Sequence, residues 1–173
     1  MSGAGTTSAR REVDAQVGLV VFLGATTMLF ASVLLAYAIV RAQAPRWPPV
    51  GAPPFPRAAA ANTLALMAAS FALRRARRAP DARAWTRAAF GFGAAFLIAQ
   101  AALWRHLVAV HLGPGGGALG EVFFALSALH ALHVVGGLGA LTLAGVRRLR
   151  VVTLYWDFVL VVWVVIYVAV CVL

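Results

Sequence analysis

Two histidines, His130 and His133, lie three residues apart in the apolar run Phe123-Phe-Ala-Leu-Ser-Ala-Leu-His-Ala-Leu-His-Val-Val-Gly-Gly137. On a helix, side chains three apart share a face. The run stays apolar to Val146, longer than a soluble core helix needs, and histidine in a lipid-spanning segment faces protein or water rather than lipid. Three roles are open to the pair: haem or metal ligation, hydrogen bonds that lock helices together, and a proton path. Haem needs ligands on two helices, or one ligand and an open position. Two histidines at i, i+3 cannot clamp both faces of one haem. The Glu-x-x-His pattern of dinuclear carboxylate sites has His130 where it needs its Glu. Helix locking is therefore the reading carried forward, with no catalytic, cofactor or metal residues assigned.

The remaining polar groups in apolar segments are few. Gln100 sits inside one run, with Trp104, Arg105 and His106 at its end and His111 in the turn beyond. The Gly136-Gly137 pair and Gly139 let another backbone approach closely, and Gly136 is the expected packing position. Glu121 and Asp157 each stand near a helix start, where the backbone dipole favours an anion. Asp157 is expected to pair with Arg147, Arg148 or Arg150. There is no phosphate loop, no activated Ser or Cys, and no paired carboxylate. The lone Cys171 makes neither an intrachain disulfide nor a zinc site. His130, His133, Gly136, Gln100, Asp157 and Trp104 are thus structural or interface candidates.

The elements that hold these residues are membrane helices. The hydrophobic fraction is 62% and the charged fraction 12%, against roughly 45–50% and 25% in soluble domains. Five spans are predicted, at 17–40, 58–73, 88–107, 118–146 and 151–173, after a polar cytoplasmic tail over 1–16. The second is the weakest, because it is Ala-rich, carries Asn62 and falls just under the roughly 17 residues a span needs. The proline-rich loop over 42–56 cannot be helical, and Trp47 and Phe55 are placed at the membrane surface. The first apolar run is too long for a signal peptide and reads as a retained span.

All fifteen basic residues are Arg, and the net charge is +10. Nucleic acid is not the expected partner, since the Arg residues form short clusters between apolar runs. Eleven fall in the N-terminus, the second loop and the fourth loop, and four in the first loop, the third loop and the C-terminal side. The positive-inside rule then places the N-terminus in the cytoplasm and the C-terminus in the periplasm. The fold class is all-α, a polytopic bundle of five transmembrane helices.

Four stretches resemble subunit III of the haem-copper oxidases. Phe22-Leu-Gly-Ala-Thr-Thr-Met-Leu-Phe30, with Ala36-Tyr37 behind it, is similar to the family's F-L-x-S-E-x-M-L-F…A-Y. Phe96-Leu-Ile-Ala-Gln-Ala-Ala-Leu-Trp104 is similar to F-L-x-x-Q-x-x-E-W. The stretch from Phe123 to Gly136 resembles F-F-x-x-T-G-x-H-G-x-H-V-x-x-G, the most specific of the four. Tyr155-Trp-Asp-Phe-Val-Leu-Val-Val-Trp163 resembles Y-W-H-F-V-D-V-V-W. Order and spacing fit the short, five-helix bacterial form from Val17 onward. The departures run one way: Thr26, Leu103 and Leu160 stand where the family has acids, and Asp157 where it has His.

The resemblance implies a non-catalytic subunit of a terminal oxidase in the bacterial inner membrane. It would carry no haem or copper itself and would pack against catalytic subunit I, which holds both. It would support that subunit's proton uptake, hold phospholipid in its clefts, and join other subunits of the oxidase or a respiratory supercomplex. The electron donor, cytochrome c or a quinol, is left open. Two alternatives stand beside it: the five-helix protein associated with nitric oxide reductase, and a small haem-binding electron carrier using His130 and His133.

Overall fold

The computed structural model describes residues 3–44, 56–111, 113–115, 117–144 and 148–172. The expected prolyl loop with Trp47 and Phe55 lies outside them. Every regular element among the described residues is helical: α1 (Gly3–Gln43), α2 (Pro56–Ala76), α3 (Ala82–Ala109), α4 (Ala118–Ala144) and α5 (Leu149–Tyr167), which runs on as a π-helical turn over Val168–Val172. Four helices are long and apolar enough to cross a bilayer, over Gln16–Gln43, Ala82–Ala109, Gly120–Leu143 and Leu149–Val170. The chain is an all-α, polytopic membrane protein.

Local chemistry sets the helix ends. Pro56 opens α2, at a first-turn position where its missing N–H costs nothing. Asp81 caps α3, its carboxylate accepting the Ala84 N–H at 3.1 Å. His111 adopts a left-handed backbone with φ 60° just past the end of α3. Gly115 and Gly117, at φ 88° and 106°, then turn the chain into α4. The expected span at 17–40 falls within the apolar window Gln16–Gln43, and the helix that carries it begins at Gly3. The preceding residues contain no proline and several good helix formers, so nothing stops it earlier.

Where the marginal second span is expected, α2 has 21 residues, roughly 32 Å, rather than 16, and it is not among the four helices apolar enough to cross by composition. It lacks the hydropathy of the other four because its buried stripe is built from small residues. Ala59, Asn62, Leu66, Ala69, Leu73 and Ala76 recur at helical spacing and are buried against the neighbouring helices. That stripe is covered by protein, while Leu64, Met67 and Phe71 of the same helix face outward. α1 is the opposite case: only 11% of its apolar window is buried, against 44% for α4.

Helices α2 to α5 alternate in direction along the chain, α1 runs parallel to α5 beside it, and two apolar clusters stack along the bundle. One gathers Leu66, Leu73, Phe96, Leu138, Val152, Trp156 and Val159, with Leu19 and Leu23 of α1 beside it. The other gathers Phe30, Tyr37, Leu107, Phe123, Leu126, Ile166 and Val170. The N-terminal part of the apolar run of α1 and the C-terminal end of α5 therefore lie at opposite ends of the bundle.

Candidate functional site

His130 sits at the junction of four helices. It projects from α4 and is fully buried. Phe30 of α1 and Phe96 of α3 stand edge-on at 6.4 and 5.6 Å between ring centroids, and Trp163 of α5 lies tilted at 5.0 Å. Among the described residues, neither ring nitrogen of His130 has a hydrogen-bond partner. His133 lies one turn further on the same stripe. Its Nδ1 meets the Leu129 carbonyl of its own helix at 2.8 Å, and its ring lies 6.1 Å from Phe22 and 5.4 Å from Phe30.

The two histidines thus share a face as their spacing requires, but they do not lock helices through hydrogen bonds from their rings. His130 is a polar plug in an aromatic box. His133 contributes its main chain instead: the Tyr155 hydroxyl on α5 donates to the His133 carbonyl at 2.7 Å. Among the described residues, no group of three or more His, Cys, Asp or Glu side chains could hold a metal ion.

The other polar residues pin the remaining helix pairs. Asn62 donates its amide hydrogen to Gln100 Oε1 at 2.8 Å, joining α2 to α3 at a fully buried Gln100. Trp163 donates to Thr63 Oγ1 at 3.0 Å, joining α5 to α2, and Thr63 passes its own hydrogen to the Ala59 carbonyl. Trp104 donates to Ser127 Oγ at 2.9 Å, joining α3 to α4, while Ser127 donates to the Phe123 carbonyl. In hydrocarbon such bonds are made because the alternative is an unpaired polar group. Trp104 therefore has a defined partner inside the bundle. Among the described residues, Gln100 Nε2 has none.

Asp157 pairs with Arg74, not with Arg148 or Arg150, and Arg147 lies outside the described residues. Arg74 Nη2 and Nε approach Asp157 Oδ1 at 3.1 and 3.2 Å. The reason is register: Asp157 lies eight residues into α5, roughly 12 Å from its start and level with the end of the antiparallel α2. Sequence position favoured the arginines nearest along the chain; space favours the one across it.

The glycine expectation is also corrected. Gly136 is exposed, and a Cβ there would meet only the Tyr155 hydroxyl at 3.5 Å. The close approach is at Gly137, where a Cβ would lie 3.0 Å from Tyr155 Cε1 and 3.2 Å from two atoms of the Trp156 indole. Tighter still is Gly93 on α3, where it would stand 2.6 Å from Trp156 Cη2 and 2.9 Å from Leu138 Cδ2. Sequence reading missed Gly93 because Gly91 and Gly93 look alike; only the latter faces the α5 indole. The arrangement can hold α2 to α5 as one rigid unit.

No protein-family model matches the chain. Curated proteins do. A protein of Nocardia farcinica named "Probable cytochrome c oxidase subunit 3" is 30% identical over 167 residues, covering 86% of this chain and 82% of that protein. One of the same name from Mycobacterium tuberculosis is 32% identical with the same coverage. "Cytochrome c oxidase subunit 3" of Synechocystis is 29% identical over 174 residues, covering 88% of this chain and 73% of that protein.

Proposed function

Because the chain belongs to the cytochrome c oxidase subunit 3 family of the haem-copper oxidases, we propose that it is a non-catalytic subunit of a respiratory terminal oxidase. It packs against catalytic subunit I, which holds the haems and copper, and sustains that subunit's stability and proton uptake during turnover. The observation that carries this reading is the similarity to proteins named as subunit 3 along nearly the whole chain, including the His130–His133 helix. The geometry agrees with it. α2 to α5 are tied pairwise by buried polar pins and aromatic contacts, as a scaffold requires.

The side chains lining the bundle interior hold the scaffold and supply no reacting group. α1, with most of its apolar surface outward, offers area to lipid or to a neighbouring subunit. The arginine asymmetry, eleven against four, supports an N-terminus in the cytoplasm and a C-terminus in the periplasm of the bacterial inner membrane. The names of the relatives favour cytochrome c oxidase over the nitric-oxide-reductase and electron-carrier alternatives.

Deletion tests the role. Oxidase purified from membranes lacking this chain should keep the haem spectrum of subunit I and start at normal rates, then lose activity over repeated turnover. A core that turns over indefinitely without the chain contradicts the supporting role. A core missing one haem contradicts the non-catalytic one.

A further inference from the structure

We propose that Asn62, Thr63, Gln100, His130 and Trp163 form a single polar layer that fixes the register of α2 to α5, giving the bundle one packing at a cost in stability. Contacts around the bundle put the five at one level. Trp163 of α5 donates to Thr63 of α2, and Asn62 beside it donates to Gln100 of α3. The Trp163 ring lies 5.0 Å from that of His130 on α4. The α3–α4 register closes the circle. Trp104 bonds Ser127, and a Cβ on Gly93 would stand 2.9 Å from Leu138 Cδ2. Gly93 lies eleven residues before Trp104, and Leu138 eleven after Ser127. The two helices therefore hold one antiparallel register between these contacts. In it Gln100 stands level with Ala131, one residue and about 1.5 Å from His130.

On either side of the layer the core is apolar. Leu66, Val134 and Val159 belong to one cluster, and Leu103, Leu126 and Ile166 to the other. Aliphatic side chains accept one another in many arrangements, and such cores lose uniqueness before they lose stability. A helix slipped by one turn, about 6 Å, would still bury its Leu and Val. It would not keep the layer. Gln100 would leave Asn62, and His130 would leave its aromatic box. A polar group that loses its partner inside a membrane bundle finds no water to replace it. The layer therefore penalises each slipped register. It is also unsaturated: among the described residues, Gln100 Nε2 and both ring nitrogens of His130 have no hydrogen-bond partner. A saturated layer would add stability, whereas a partly satisfied one costs it. What this layer supplies is uniqueness, as a buried polar residue does in a coiled coil. The inference rests on the bundle alone and does not depend on the oxidase reading.

The test uses the full chain in lipid nanodiscs, isotope-labelled at tryptophan for nuclear magnetic resonance. Trp104 and Trp156 report from either side of the layer, their indole N–H signals assigned through Trp104→Phe and Trp156→Phe. In wild type each should give one signal. Asn62→Leu, Gln100→Leu and His130→Leu made together remove the amides and the imidazole. The thermal midpoint of that triple variant should stay within about 4 °C of wild type, while each indole splits into two or more signals. Leu126→Ala opens an apolar position beside the layer. It should lower the midpoint and leave the signals single. Split signals in wild type, or single ones in the triple variant, overturn the proposal. So does a larger fall in the triple variant's midpoint, or its failure to fold, because either makes the layer a source of stability. Equal splitting in Leu126→Ala overturns it too, since any core change would then suffice.

Discussion

Tyr155 donates its phenolic hydrogen to the main-chain carbonyl of His133 across the α4–α5 interface, at 2.7 Å. That carbonyl belongs to a membrane helix, so the bond adds a second acceptor contact to a group already in its helix ladder. Its ring also fills the space left open at Gly137. Tyr155→Phe keeps the ring and removes only the bond. It should lower stability by about 1 kcal/mol, read as a small drop in the thermal midpoint in detergent. A drop as large as that of a core truncation would mean that the hydroxyl has a further partner.

The glycines separate packing from openness. Gly137→Leu and Gly93→Ala each force atoms against the Trp156 indole, and overpacking of this kind costs about 1–3 kcal/mol. A Cβ at Gly136 would meet only the Tyr155 hydroxyl, at ordinary contact distance, and the position is exposed, so Gly136→Leu should be tolerated. Comparative melting of the three variants decides it; Gly136→Leu falling furthest would contradict the α4–α5 geometry.

For the buried amide pair, single and double changes should diverge. Asn62→Leu leaves the fully buried Gln100 with neither amide atom paired and should cost about 1–3 kcal/mol. Adding Gln100→Leu removes the orphan and should restore part of the loss. A double variant worse than the sum of the singles would show that Gln100 has another role.

His130 tests the aromatic box. Both its nitrogens lack partners among the described residues, so His130→Leu removes a desolvated polar group and keeps a similar volume among Phe30, Phe96 and Trp163. Stability should hold or rise, and the haem bands of the assembled complex should be unchanged. Loss of one haem signal at full complex yield would make His130 a ligand.

Much of this was legible in the chain. Apolar length announced the membrane helices, and the i, i+3 spacing put His130 and His133 on one face. The second helix read as marginal because hydropathy measures affinity for lipid. This helix instead buries alanines against protein, with Asn62 held by a residue 38 positions away. Asp157 was matched to the wrong arginines for a related reason: sequence gives neighbours along the chain, and the antiparallel register of α2 and α5 is set by packing. Gly93 and the Trp104–Ser127 bond are likewise products of helix rotation, which composition does not encode. The cap at Asp81 was within reach of sequence reading, since it follows Pro80 and precedes an amphipathic start.

The central claim is that this chain works as a subunit of a haem-copper oxidase. The most direct measurement is a mild-detergent pull-down of the tagged chain from its native membrane, with its companions identified and an optical spectrum taken. The account predicts that a haem-copper subunit I arrives with it, carrying its haem bands, while the chain separated afterwards is colourless. A chain that arrives alone and shows a b-type haem band of its own would contradict it.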